Sequence, residues 1–389
     1  MGNSNDENLD PIDDSGELTV GAEIEFLVLA TKYKPIDVLD QIREHIEACI
    51  KARGITAGAK VVVPMPGQHQ WGCWTVKEEN IEKKPADERN KKWYGVEICS
   101  PVMNFATFRT AIPVVLSAIK ELDVPKMVTD QCAFQVHIGR GNKGFTPLTL
   151  KKLATIIAFS EEDMLNKLCH PARLESEFAV SINQSILAEK AGSDGQKTTS
   201  QDLGNKRSVE YRNWLKDLKP DNLLITLWDS KVSSVKNVVE LLTPNQPLLP
   251  YAAAVSFFNL IDSRQEFGSD RPIKRTIEFR RFQGTLDPVA ALAAFELCMA
   301  LVEFARKSDP EKFSNLIKNL RPSIEEQNKL ADQKQKAAEN PGRLDETPSS
   351  PTDKNPYRRE DFLKDIEYHD EDGTYVKCLV DQADNPSLG

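Results

Sequence analysis

The sequence predicts an α+β protein: an antiparallel or mixed sheet with helices packed on one side and a ligand on the other. Two observations carry this. Segments of helical and strand periodicity alternate along the chain, and four strand segments split into an apolar face and a charged face. Two-faced strands suit antiparallel or mixed sheets; strands of a parallel sheet are apolar on both faces.

The 389 residues suffice for one large domain or two ordinary ones, and 40% hydrophobic with 28% charged residues is a soluble globular composition. A net charge of −9 argues against a general nucleic-acid binder and against an anionic membrane as partner. Cys49, Cys73, Cys99, Cys132, Cys169, Cys298 and Cys378 form no CxxC pair, which disfavours a zinc ribbon or a thioredoxin motif. The odd cysteine count, the polar start and the lack of any run of eighteen apolar residues lead to the expectation of a cytoplasmic protein without a membrane span.

Residues 1–17 are polar and acidic and are expected to form a disordered tail, with order beginning at Leu18. "ELTVGAEIEFLVLA" alternates as a strand. Over residues 36–53, Leu39, Ile42, Ile46 and Ile50 recur at helical spacing and Gly54 closes the helix. "AKVVVP", "WGCWTVK" and "KWYGVEICSP" read as strands around a charged loop at 78–92. A second helix covers 105–122, "QCAFQVHIGR" is a further strand, and one long helix covers 148–168. Residues 186–206 are a polar insertion, "YAAAVSFFNLI" and "RTIEFRRFQGT" follow, and 287–308 form an apolar helix. The main domain spans 18–322. Residues 323–389 hold a peripheral helix, a linker and a tail whose last segment either docks back or stays free.

Reading the four strands by face gives the candidate site. Ala22, Ile24 and Phe26 oppose Gly21, Glu23 and Glu25; Val96 and Ile98 oppose Gly95 and Glu97. Phe134, Val136 and Ile138 oppose Gln135 and His137, and Ile277 and Phe279 oppose Glu278 and Arg280. Each pattern alone is an ordinary solvated strand face or a weak surface ion pair. Sharing one sheet, the four strands would crowd four carboxylates, and that requires proton uptake or a bound cation. Oxygen ligands with one imidazole suit magnesium or manganese rather than structural zinc.

The ordered set "GAEIEFLV", "YGVEICSPV", "AFQVHIGR" and "RTIEFRRFQGTLD" resembles the motifs of the fungal-type amidoligase family, a branch of the carboxylate–amine ligases with a glutamine-synthetase-like fold. "LCHPARL", "YAAAVSFFNL" and "WTVKEENI" also resemble family segments, with Glu78 near the usual Asp, and the likeness covers roughly residues 18–310. It implies a glutamine-synthetase-like curved, mainly antiparallel sheet with helices on its outer face. It also implies an ATP- and Mg2+- (or Mn2+-) dependent ligase that joins a small-molecule or peptide carboxylate to an amine through an acyl phosphate. Glu23, Glu25, Glu97 and Glu278 would hold the metal. Glu25, Glu278 and Arg280 would be catalytic, with Arg280 neutralising the phosphoryl group. His137, Gln135 and Arg173 would bind the cofactor, Arg173 also being suited to a substrate carboxylate. The family's third motif strand carries His-x-His, and here Gln135 takes the first place. That departure motivates an alternative, a non-catalytic amidoligase-fold protein that binds nucleotide, ligand or a protein partner. A guanidino kinase is a further enzyme reading, though the chain lacks a dense arginine set for its nucleotide pocket.

Overall fold

The computed structural model describes residues 16–29, 35–55, 60–64, 71–81, 93–141, 143–186, 222–244, 252–261, 274–320 and 358–368. The expected tail before residue 16, the polar insertion after residue 186 and the helix and linker at 323–357 lie outside them.

The strands form one open sheet around β1 (Thr19–Leu29). The others in chain order are β2 (Val61–Val62), β3 (Trp74–Glu79), β4 (Trp93–Cys99), β5 (Met103–Asn104), β6 (Lys126–Met127), β7 (Ala133–Gly139), β8 (Val255–Ser256) and β9 (Thr276–Gln283). Their order across the sheet is β2-β3-β4-β1-β7-β9-β8, with β5 and β6 pairing to β1. Among the described strands only β2 and β3 run parallel; the rest pair antiparallel, as expected of two-faced strands.

The helices are α1 (Pro35–Ala52), α2 (Phe105–Glu121), α3 (Pro147–Ser160), α4 (Pro171–Leu174), α5 (Asn222–Leu227), α6 (Val235–Leu242), α7 (Pro288–Lys307), α8 (Pro310–Leu320) and α9 (Arg359–Asp365). Local signals start several of them. Asn104 and Thr146 accept backbone N–H bonds at the heads of α2 and α3, Asp287 does so for α7, and Pro147 and Pro288 preset the first turns of α3 and α7.

α1, α2 and α7 pack against the sheet. Ile24, Phe26, Val96, Ile98, Val136, Ile138, Ile277 and Phe279, the apolar strand faces, are all buried in one cluster with Phe108, Ile112 and Phe295 of the helices. Phe108 and Phe295 stack at 4.3 Å. α7 is long and apolar enough to cross a bilayer, but in this fold its apolar residues serve the core against α2, α3 and β7. β3 and β4 approach closely at Gly95, where a Cβ would stand 2.1 Å from the Glu79 carbonyl oxygen; only glycine fits.

Two features depart from the sequence reading. The single helix expected over 148–168 ends at Ser160 and continues as a π turn, Glu161–Leu165, and a 3-10 turn, Asn166–Leu168. Both Glu161 and Asn166 bond to Arg281. Five residues apart on an α-helix, they would diverge by roughly 140°, whereas a π turn stacks them on one side. The second feature is a bulge. Phe134 pairs with Phe282 but Val136 pairs with Phe279, so Arg280 and Arg281 both stand opposite Gln135.

The end of the described chain docks back. Phe362 of α9 is fully buried in the main core with Leu363, Ile366 and Tyr368, and α9 packs on α8. Phe362→Ala should lower unfolding free energy by about 3–5 kcal/mol, read as a reduced denaturant midpoint with an unchanged slope.

Candidate active site

Opposite the helices, the sheet brings together every residue of the four predicted charged faces. β1 lies between β4 and β7 in a register that sets Glu25 across from Glu97 and Glu23 across from Gln135. β7 in turn sets His137 across from Glu278 of β9. Glu97, Gln135, His137 and Glu278 are buried, and Glu23 and Glu25 are half-buried. Near the far end of β1 this polar face gives way to a small apolar cluster of Leu27, Leu29, Ile81, Trp93 and Cys132.

The carboxylates are not left to repel one another. Lys77 of β3 lies 2.9 Å from Glu97, and Lys274, just before β9, lies 3.0 Å from Glu23. Arg280 pairs with Glu278, which also accepts from the Asn259 side chain at 2.8 Å. His137 Nε2 stands 3.1 Å from Glu23 but is not aligned for a hydrogen bond, while its Nδ1 is 3.3 Å from the Thr276 hydroxyl. Burial works against the Lys77 and Lys274 ammonium groups, but Glu97 raises the pKa of the first and Glu23 that of the second, so both stay charged. The crowding thus has a resident solution: three side-chain cations answer the demand that the sequence alone assigned to a proton or a bound ion.

Glu25 is treated differently. It accepts the Ala133 backbone N–H at 2.9 Å and the Gln135 amide at 2.6 Å, without a cation in direct contact among the described residues. Burial pushes its carboxyl up from its ordinary 4.5 to about 7, against the pull of those hydrogen bonds and of Arg173. Glu97 is pushed up too, by burial and the nearby Glu23 charge, which outweigh Lys77. Glu23 goes the other way: burial opposes ionisation, but Lys274 and His137 hold it well below the usual carboxylate range. One face therefore presents acids of unlike proton affinity, the arrangement from which acid and base roles are built.

Arg173 of α4 is buried against β9, where its Nη2 donates to the Arg280 carbonyl at 2.8 Å. Arg280 Nε in turn donates to the Phe178 carbonyl at 3.3 Å. The bulge divides the two arginines: Arg280 joins the acids, while Arg281 forms the buried pair with Glu161, whose other oxygen accepts from the Ser181 hydroxyl at 2.5 Å. The segment that follows α4 is thereby tied to β9 at two adjacent residues.

Sequence reasoning missed Lys77, Cys99, Asn259 and Lys274. Two had a readable signal. Thr75, Lys77 and Glu79 alternate with Trp74, Val76 and Glu78, and Cys99 follows Glu97 by two, its thiol donating to Glu97 at 2.8 Å. Glu78, which stands near the usual Asp of the resembled motif, is on the other face of β3 and exposed. Two groups of possible ligands have all their donor atoms within 4.8 Å of one another: Glu23, His137 and Glu278, and Glu23, Glu97 and Cys99.

Between pH 4.5 and 7, folded Glu25 retains a proton that the unfolded chain has released. Its favourable contribution is complete below the lower value and is lost as pH rises to the upper one, by roughly 3 kcal/mol. Unfolding free energy measured across this window should fall less steeply for Glu25→Gln than for the wild type, and the two curves should run parallel above pH 7.

Comparison with known proteins gives one result. No curated protein and no solved structure matches the chain. The matched segment of the family model takes in β1, β4, β7 and α4, and so Glu23, Glu25, Glu97, Gln135, His137 and Arg173; Glu278 and Arg280 on β9 lie beyond it. Residues 16–219 match the model of the family described as "Putative amidoligase enzyme", and the chain belongs to that family.

Proposed function

We propose that the protein is a cytoplasmic ATP- and magnesium-dependent carboxylate–amine ligase, built on a glutamine-synthetase-like sheet and forming an amide through an acyl phosphate. One observation carries this reading: Glu23, Glu25, Glu97, His137, Glu278 and Arg280, from four strands far apart in sequence, meet on one face of one sheet. Membership of the amidoligase family supports a ligase.

The donor set fits a hard divalent cation. Carboxylate oxygens predominate, and the Gln135 side-chain oxygen is buried without a hydrogen bond among the described residues, a free neutral oxygen beside Glu25. Glu23, Glu25, Glu97 and Glu278 would hold Mg2+ or Mn2+, and when bound with ATP the ion would neutralise the phosphates and orient the transferred group.

The chain's own residues supply the rest. Lys77, Lys274 and Arg280, each paired with a carboxylate, would supply cationic groups to phosphate oxygens, while the carboxylates they now neutralise would be the ones to hold the metal. Arg280, anchored through the Phe178 carbonyl, stabilises charge on the transferring phosphoryl group; Arg173 is the candidate partner for a substrate carboxylate. Phosphoryl transfer needs this positioning and neutralisation more than a protein nucleophile. The half-buried setting limits competing water, which would hydrolyse an activated acid. The acid and amine are small molecules or peptides.

A second reading has an observation in its favour. Gln135 replaces a histidine and is committed through its amide to Glu25, as befits a fold retained for binding without turnover.

The purified chain incubated with ATP, Mg2+ and a panel of carboxylates and amines should release ADP and phosphate in step with amide formation. Glu278→Gln should cut turnover on the order of 10²-fold. Failure of the wild type to bind nucleotide, together with indifference to Glu25→Gln, would remove the ligase reading. Turnover seen only after Gln135→His would favour the binding protein.

A further inference from the structure

A third group of ligand-type side chains lies away from the acid face, on the helices. His45 and Cys49 sit one turn apart on α1, and Glu121 is the last residue of α2. α1 packs on α2, and the ligand atoms of all three lie within 4.8 Å of one another. Cys49 Sγ and His45 Nε2 are 3.8 Å apart. Two ligands of tetrahedral zinc, with bonds of about 2.3 Å to sulfur and about 2.0 Å to nitrogen, stand roughly 3.5 Å apart, so the Cys49–His45 pair is near zinc-ligand spacing as it stands.

Three further observations point the same way. Of the described cysteines, Cys73, Cys132, Cys169 and Cys298 are buried; Cys49 and Cys99 alone are partly open, and each falls in a ligand-type cluster. Glu121 is exposed and has no cationic partner among the described residues, so its carboxylate is available. His45, alone of the three, also borders a small cleft with Gln41, Ile42, Leu122, Asp123 and Val124, so its ring lies at an open surface.

We propose that His45, Cys49 and Glu121 form a zinc site that fastens α1 to the C-terminal end of α2. The mixed nitrogen, sulfur and oxygen set suits zinc and disfavours magnesium, so the site is chemically distinct from the oxygen-rich sheet face. Three protein ligands leave the fourth position to water or an exogenous donor. On binding, the Cys49 S–H bond breaks, its proton passes to solvent and the sulfur–zinc bond forms; neutral His45 and ionised Glu121 give lone pairs without further proton loss, and no redox change is involved. Because α2 packs on β1, the ion would brace the helix layer behind the acid-bearing strand.

The test uses full-length protein stripped with chelator and titrated with Co2+, followed by Zn2+ displacement. A thiolate-to-cobalt charge-transfer band saturating at one ion per chain should appear in the wild type, persist in Cys99→Ala and vanish in Cys49→Ala. Exposed Glu121→Gln, which cannot disturb the core, should weaken binding at least tenfold. Zinc should also raise Tm in the wild type and leave Cys49→Ala unmoved. A wild type without the band, or a band that survives Cys49→Ala, overturns the assignment.

Discussion

β1 is paired on both sides, with β4 and with β7, and its side chains alternate between two incompatible surroundings. A slip of one residue would push Glu23 and Glu25 among the helix-side hydrophobics and turn Ile24 and Phe26 onto the charged face. Burial of Ile24 and Phe26 therefore fixes more than stability: it aims the two carboxylates. The same logic extends through β4, β7 and β9, whose buried apolar residues join the same cluster. Core packing and site geometry are opposite faces of one register.

The charged face resolves its own conflict by pairing. Three of the acids are answered by a base, from the adjacent strand, from the residues just before β9, or from the same strand: Lys77 beside Glu97, Lys274 beside Glu23, Arg280 beside Glu278. Glu25, held by an amide and a backbone N–H, keeps a proton to about pH 7 instead. Buried pairs of this kind add little net stability, because desolvation consumes most of the Coulombic gain. Their retention fits a site whose charges have a second set of partners to meet.

Much of this was legible in sequence because period-two alternation states which residues share a face, and the faces of β1, β4, β7 and β9 read correctly up to Arg280. Other features were not legible, and for physical reasons. The bulge at Arg280 and Arg281 is a property of pairing with β7, not of β9 alone. The π turn after α3 answers to Arg281, which is 120 residues distant from Glu161. Lys274 reaches Glu23 across 251 residues, and neither carries a local mark of the other. Lys77 was within reach, since reading "WTVKEE" by face sets it with Thr75 and Glu79, opposite Glu97. The docked α9 could be read as a helix but not placed, because an amphipathic segment does not name its groove.

The pairing of acids with tethered bases has a consequence at long range. The chain carries nine net negative charges, yet the cations on this face leave it close to a zwitterion. Opposite charges a few ångströms apart cancel beyond a Debye length, so the site projects little field to steer a polyanion through solution. Capture then depends on contact rather than attraction from afar, and its rate should respond only weakly to ionic strength. On the proposed ligase reading, a site of this kind selects by what can break several ion pairs at once, which would favour a ligand bearing both an anion and a metal over either alone.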